Sequence, residues 1–354
     1  MRPTSLIADL EQPLIDLGAK PVHVRRLLRT WLNALPEDAG RSKPEHFLPQ
    51  AVREALPGWR TMLDGLARLH SQHPGEDGSA RLLVDLADGQ QVESVLLQRD
   101  GLCVSTQVGC AVGCVFCMTG REGLIRQVGS AEIVAQVALA RRLRRVRKVV
   151  FMGMGEPAHN LDNVMAAIEL LGTVGGIGHK ELVFSTVGDE RVFERLPQGP
   201  VKPALALSLH TTKADLRARL LPRAPRYEPA ELLARGEAYA RATGYPMQVQ
   251  WTLLRGVNDG ADELDALVEL MRGKYAVLNM IPYNSVPDLP FERPDWDEAA
   301  AIARHLHRRG VLTKLRQSAG QDVDGGCGQL RARAAGERPV KVLRQAVPGR
   351  IGAL

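Results

Sequence analysis

From about residue 90 to residue 315 the chain alternates short apolar runs of strand length with longer stretches of helical spacing. That alternation restricts it to a parallel sheet wrapped by helices, either an open sheet or a barrel. Strand-like runs lie at 93–97, 103–108, 148–153, 181–186, 204–210, 247–254, 277–282 and 311–315, and helical segments at 130–145, 163–171, 190–196, 229–243, 261–272 and 297–309. Loops that follow the strands of such a fold carry its chemistry. The first 85 residues differ, with apolar residues at helical spacing over 22–35 and 50–68 and Pro44, Pro49 and Pro74 as breakers. The expected organisation is a small helical accessory domain over 1–85, a core over 86–330 and a basic tail over 331–354.

The 354 residues are 45% hydrophobic, enough for a sizeable core, which excludes a disordered or fibrous chain. No run reaches the roughly 18 apolar residues of a membrane span. Residues 1–20 lack a basic stretch followed by an apolar one, so no signal peptide is expected and the predicted location is cytoplasmic. Net charge is +6, and residues 331–354 hold six basic side chains against one acid. Two further basic runs are Arg25, Arg26 and Arg29, and Arg141, Arg142, Arg144, Arg145, Arg147 and Lys148. Such runs suit a nucleic-acid partner as well as they suit a solvated surface.

Five cysteines, an odd number in a long chain, argue against a disulfide framework. Three of them form Cys110-Ala-Val-Gly-Cys114-Val-Phe-Cys117 on a loop after a strand. Three thiolates so spaced suit a 4Fe-4S cluster with one iron left without a protein ligand, open to chelation by a substrate. A zinc loop with Cys103 as fourth ligand, or buried free thiols, are the other readings of these residues.

Polar groups also recur at the ends of successive strands. Gly153 and Gly155 allow close approach of backbone to a ligand, and Glu156 offers a carboxylate to an ammonium group. Ser185, Ser208, His210 and Asn284 lie at or beyond strand ends, where a parallel barrel presents polar groups to its ligand.

These motifs together resemble the RlmN/Cfr family of radical S-adenosylmethionine enzymes that methylate adenosine in RNA. The likeness runs from about residue 13 to residue 330. It rests on the CxxxCxxC loop, on Leu102-Cys103-Val-Ser-Thr-Gln107-Val-Gly-Cys110 leading into it, and on Phe151-Met-Gly-Met-Gly155-Glu156-Pro157. It extends through Leu207-Ser208-Leu209-His210, Ile281-Pro282-Tyr283-Asn284 and Gly320-Gln-Asp-Val-Asp-Gly-Gly-Cys327-Gly-Gln-Leu330. The phrase Leu17-Gly-Ala-Lys-Pro21 is similar to part of the family's N-terminal accessory domain. Departures occur at Met118, Leu124, Arg223-Ala224 and Ser318-Ala319, none of them a cysteine position.

The resemblance implies an incomplete (β/α)6 barrel, a 4Fe-4S cluster on Cys110, Cys114 and Cys117, and S-adenosylmethionine held by Gly155, Glu156, Ser185, Ser208, Leu209, His210 and Asn284. It further implies that Cys327 is methylated by one S-adenosylmethionine. A radical made from a second one activates that methyl group, which leaves Cys327 covalently joined to an adenine carbon. Cys103 then releases the RNA by forming a disulfide with Cys327. Glu93 aligns with the family's proton acceptor, although Cys103 could take the proton and Glu93 could simply face solvent on an alternating strand. The implied substrate is adenine carbon 2 in 23S ribosomal RNA, extending to tRNA, and the implied electron source is a low-potential donor such as flavodoxin or ferredoxin. A monomer without membrane attachment is expected. Carbon 8 methylation, or a non-catalytic RNA-binding protein with a structural zinc loop, are the rival expectations.

Overall fold

The computed structural model describes residues 5–36, 38–39, 43–286 and 289–332. Helices α1 (Ile7–Asp16), α2 (Pro21–Leu32), α3 (Pro44–Phe47) and α4 (Gln50–Leu66) come first. Pro21 and Pro44 open α2 and α3, where the missing N–H has no helical partner to lose. Pro49 lies just outside α4 as its N-terminal flanking residue. Three strands follow: β1 (Ala67–Pro74), β2 (Ala80–Leu86) and β3 (Gln91–Leu97), paired antiparallel in that order. Residues 67–85 therefore depart from the expected helical segment. Along β1 burial alternates, and Ala-Arg-Leu-Leu-Val-Asp-Leu of β2 is buried at nearly every position.

Next come β4 (Gly101–Cys103), β5 (Gln107–Gly109), β6 (Leu124–Gln127), α5 (Ser130–Leu143), β7 (Lys148–Phe151), α6 (Leu161–Thr173), β8 (Leu182–Thr186), α7 (Glu190–Arg195) and β9 (Ala204–Ser208). The remaining elements are α8 (Ala214–Leu220), α9 (Pro229–Thr243), β10 (Met247–Leu253), α10 (Ala261–Met271), β11 (Ala276–Pro282), α11 (Trp296–Arg308) and β12 (Thr313–Leu315). Strands β4, β7, β8, β9, β10, β11 and β12 are parallel neighbours in one sheet, with β3, β2 and β1 continuing it antiparallel beyond β4. Six strand-helix units thus build an incomplete (β/α)6 barrel, with β12 as a seventh parallel strand. The sheet has two edges, β1 and β12, so it does not close on itself. The run expected as one strand over 103–108 is split. After Cys103 the chain leaves the sheet, and β5 pairs with β6 in a separate two-stranded sheet.

One apolar core joins the N-terminal helices to the barrel: Leu10, Leu14, Leu28, Leu32, Val52 and Leu63 belong to the same buried cluster as Val134, Val137 and Phe151. The basic run that ends α5 stitches this junction. Arg141 donates to the carbonyls of Leu32 (3.1 Å) and Gly175 (2.9 Å), Arg142 pairs with Asp64, and Arg144 binds the carbonyls of Gly78 and Leu97. Arg145 also pairs with Asp100 at 3.8 Å, so four of the six side chains of that run are engaged within the molecule. No helix among the described residues is long and apolar enough to cross a membrane. The expected basic tail lies outside the described residues beyond Ala332.

Candidate active site

Because the strands are parallel, their C-terminal ends share one rim, and the loops leaving that rim converge. The cysteine loop is shaped by glycine. Gly109 has φ +76°, and a Cβ there would meet the Gly123 carbonyl at 2.1 Å. That close approach carries the hydrogen bond from Cys110 N to Gly123 O (3.0 Å), which fixes the loop's start. Cys114 and Cys117 are tied by a 3.0 Å bond from Cys117 N to Cys114 O, and Val115 N binds Leu220 O at 3.0 Å. Burial pushes the Cys110 thiol up to about 12, and it raises Cys114 and Cys117 as well. Such thiols stay protonated at neutral pH unless a cation replaces the proton. Cys114 senses both Cys110 and Cys117 electrostatically. Yet no three His, Cys, Asp or Glu among the described residues are gathered tightly enough for one metal ion. Three thiolates from one loop would serve three irons of a cluster and leave the fourth open, so the residues present fit a 4Fe-4S group.

Beside this loop, the segment after β7 forms a cradle. A Cβ on Gly153 would lie 2.7 Å from Val104 O, and one on Gly155, whose φ is +100°, would strike the Gln107 side chain at 2.5 Å. Gln107 Oε1 accepts from Glu156 N at 2.8 Å, which orients the next residue. Glu156 is buried, its carboxylate accepting from Ala158 N and Val187 N at 3.2 Å each. Burial raises its pKa to about 7, against the pull of the Thr186 hydroxyl and those two N–H groups. An approaching ammonium group reverses that penalty.

Ser185 and Ser208 occupy the ends of β8 and β9. Leu209 is fully buried, and its N–H donates to the Gln250 carbonyl at 3.2 Å. His210 stands at φ +64°, a left-handed conformation unusual for a side-chain-bearing residue. Its Nδ1 accepts from Thr252 N at 3.0 Å, leaving Nε2 as the assigned N–H donor. Burial, then Arg217, lowers its pKa to about 3, which keeps the ring neutral. Its ring packs edge-to-face with Phe116, inside the cysteine loop, at 5.1 Å between centroids. Asn284, two residues past β11, is buried with Oδ1 lacking a partner.

The chain after β12 returns across the opening of the barrel and docks on the cysteine loop. Met118 N donates to Gly328 O at 2.8 Å and Thr119 Oγ1 to Leu330 O at 2.7 Å. A Cβ on Gly326 would lie 2.5 Å from Gln329 Oε1 and 2.8 Å from Asn284 Nδ2. Cys327, between two glycines, is exposed to solvent and Cys103 is buried; both are free thiols. Burial raises the Cys103 thiol, and Cys327 raises it further, so the two sulfurs are within electrostatic reach. Enclosure by surrounding atoms also raises Cys327, while Arg316 and the Ser318 hydroxyl oppose it. Glu93 does not face solvent: it is 1% exposed and ion-paired with Arg81.

Sequence reasoning missed Arg217. It is buried on α8, with Nη1 on Pro225 O (3.1 Å) and Nη2 on the carbonyls of Val187 and Ser208. Its Nε has no partner, and the Cys114 thiol and the Glu156 carboxyl are titratable groups within its electrostatic reach. Only the fold reveals this, since Leu-Arg-Ala-Arg-Leu reads as a surface helix. Arg217 Nε, Gln250 Nε2 and Asn284 Oδ1 are thus buried donors and an acceptor left over by the protein. They fit a ligand that is anionic at one point and both donates and accepts elsewhere, as S-adenosylmethionine does.

A radical SAM superfamily model matches residues 104–271. A protein of Leptothrix cholodnii named "Probable RNA methyltransferase" is 77% identical over 92% of this chain and 93% of its own length. A like-named protein of Methylibium petroleiphilum is 73% identical over 93% of this chain and 94% of its own. The crystal structure of a radical SAM methyltransferase from Sphaerobacter thermophilus superposes with a TM-score of 0.81 at 34% identity, covering 93% of this chain and 98% of that one. Cysteine loop, cradle and relatives agree: the chain belongs to the RlmN/Cfr-like family of radical S-adenosylmethionine RNA methyltransferases.

Proposed function

We propose that this enzyme methylates carbon 2 of an adenine in 23S ribosomal RNA, and in tRNA, through a methyl group first carried by Cys327. The observation that supports the reading most directly is the docking of the Cys327 loop on the cysteine loop through Met118 N–Gly328 O and Thr119 Oγ1–Leu330 O, with Cys103 in electrostatic reach of Cys327. Cys110, Cys114 and Cys117 would hold the 4Fe-4S cluster, and Gly155, Glu156, Ser185, the Ser208–His210 backbone and Asn284 would hold S-adenosylmethionine. Bound there, these two groups supply the methyl cation equivalent and the one-electron reduction that activates the methyl group.

The protein's own groups do the rest. Glu156 holds the cofactor's ammonium, and neutral His210 presents an N–H. Exposed Cys327 gives up its proton and accepts a methyl group as a thioether. Once the methylene carbon is bonded to the ring, the adduct must give up its unpaired electron, to the redox group that Cys110, Cys114 and Cys117 would hold, and the ring proton to a base; the Cys103 thiolate then attacks the Cys327 sulfur. The S–S bond forms as the S–C bond breaks. The electron pair leaves on carbon, which is protonated to a methyl group, and an external reductant reopens the disulfide.

A low-potential donor such as flavodoxin or ferredoxin would supply the electron. RNA contact is assigned to the N-terminal helices bearing Arg25 and Arg29, together with the basic tail. Mass spectrometry of RNA nucleosides from a deletion strain, before and after complementation, tests the reading. Restored 2-methyladenosine is expected. Restored 8-methyladenosine would transfer the assignment to carbon 8, and no change in any methyladenosine would overturn it.

A further inference from the structure

Both flanks of the Cys327 loop are held by one buried ion pair on the neighbouring strands. Arg81 of β2 and Glu93 of β3 pair through Nη1 and Oε1, both nearly solvent-free. Arg81 Nε donates to Val323 O at 2.6 Å, four residues before Cys327. Glu93 Oε2 accepts from Arg331 N at 2.6 Å and Ala332 N at 3.0 Å, four and five residues after it. The outer end of the same segment is pinned to the β1–β2 turn, where Asp77 Oδ2 accepts from Gly320 N at 3.1 Å and Asp322 Oδ2 from Glu76 N at 3.0 Å. Between these anchors the chain is rich in glycine: Gly325, Gly326 and Gly328. Such a segment has many conformations to lose, so external bonds must select the one that presents the thiol.

We infer that Arg81 and Glu93 form a clamp that positions the Cys327 loop, which makes Glu93 a positioning residue and leaves the ring proton to another group. The inference rests on the proposed role of Cys327 as methyl carrier. Glu93 has both carboxylate oxygens engaged, one by a guanidinium and one by two backbone N–H groups. A general base must reach the proton it takes. Moving Glu93 towards a substrate would release both the Arg81 pair and the 331–332 backbone, and with them the loop that carries the substrate's attachment point.

The test uses the full chain reconstituted with iron and sulfide, S-adenosylmethionine and RNA, in Glu93→Gln, Arg81→Met and the double variant, with Cys103→Ala as the reference for a block after adduct formation. As positioning residues, both single variants should lower the yield of S-methyl Cys327 by about tenfold or more, the scale of losing a charge-assisted bond. Neither should accumulate RNA-linked protein, and the double variant should lose little more than the worse single one, because both act through one loop. The pH profile of residual turnover should keep the wild-type shape. Normal methylation of Cys327 in Glu93→Gln with accumulation of the RNA adduct would overturn the clamp and restore Glu93 as the base.

Should Arg81→Met fail to fold, Arg81→Lys keeps the charge and loses the Nε bond to Val323. It should show partial methylation and no adduct, and full methylation would count against the clamp. Hydrogen exchange across 320–332 reads the clamp without any chemistry: faster exchange in Glu93→Gln is expected, and unchanged exchange overturns the inference. Absence of methyl on Cys327 in the wild-type enzyme would overturn the underlying functional reading instead.

Discussion

Asn284 and Cys327 are joined by a hydrogen bond from the Asn284 side-chain amide to the Cys327 carbonyl at 2.9 Å. The same nitrogen donates to Ser318 Oγ at 2.8 Å, while Oδ1 stays buried and unpartnered. One side chain thus couples the rim of strand ends to the loop that carries Cys327. Asn284→Ala should cost about 1–3 kcal/mol of stability, as lost buried hydrogen bonds do, and should weaken S-adenosylmethionine binding and Cys327 methylation together. Calorimetric titration and protein mass spectrometry would read the two. A variant that bound the cofactor normally and methylated Cys327 normally would show the coupling to be idle.

The cluster assignment is tested by iron content. Replacing Cys110, Cys114 and Cys117 with Ala should remove about four irons per chain. The fold should survive, because the loop lies outside the main sheet. Retained iron in the triple variant would mean other ligands hold the metal.

Glu156 gives a pH signature in the metal-free protein. Its folded pKa, about 7, lies above the ordinary 4.5 because burial disfavours the carboxylate. The folded state therefore binds more protons than the unfolded one between those values, and stability falls as pH rises through that window. The total approaches about 3 kcal/mol by pH 8. Relative to Glu156→Gln, the wild-type Tm should drop between pH 5 and pH 8. Parallel Tm curves for the two proteins would contradict the assignment.

Cys103 and Cys327 should fail at different stages. Cys327→Ala should retain iron and cofactor and transfer nothing to RNA. Cys103→Ala should accumulate RNA covalently attached through Cys327, seen as a nuclease-sensitive shift on a denaturing gel. The double variant should give no adduct, since without Cys327 no bond to RNA forms. Normal turnover by Cys103→Ala would remove the disulfide step.

Arg217 carries a buried charge whose partners are backbone carbonyls. Burial lowers its pKa to about 10. Arg217→Met removes that charge but leaves three carbonyls without their donor, so the metal-free protein should lose about 1–3 kcal/mol of stability, while affinity for S-adenosylmethionine should fall about tenfold or more. Unchanged affinity would assign Arg217 to packing of the α8 loop.

Much of this protein was legible in one dimension. Strand and helix periodicity marked every parallel strand from β7 to β12, because a two-residue and a 3.6-residue repeat are local properties of the chain. Cysteine spacing and the Gly-Glu motif could suggest a chemistry from sequence because ligands on one loop need only local geometry. What local pattern does not contain is long-range pairing. Residues 67–85 became strands because β2 found β3 as a partner, and the 103–108 run broke because β5 found β6. Glu93 could be read as a proton acceptor or as facing solvent until the fold paired it with Arg81 of the neighbouring strand and set the chain beyond Cys327 against it. Arg217, Arg81 and the basic end of α5 acquire their roles from burial and from partners tens to hundreds of residues away. Those arise only when the sheet and its helices pack around them, since the cost of burying a charge is set by its three-dimensional surroundings and not by its neighbours in sequence.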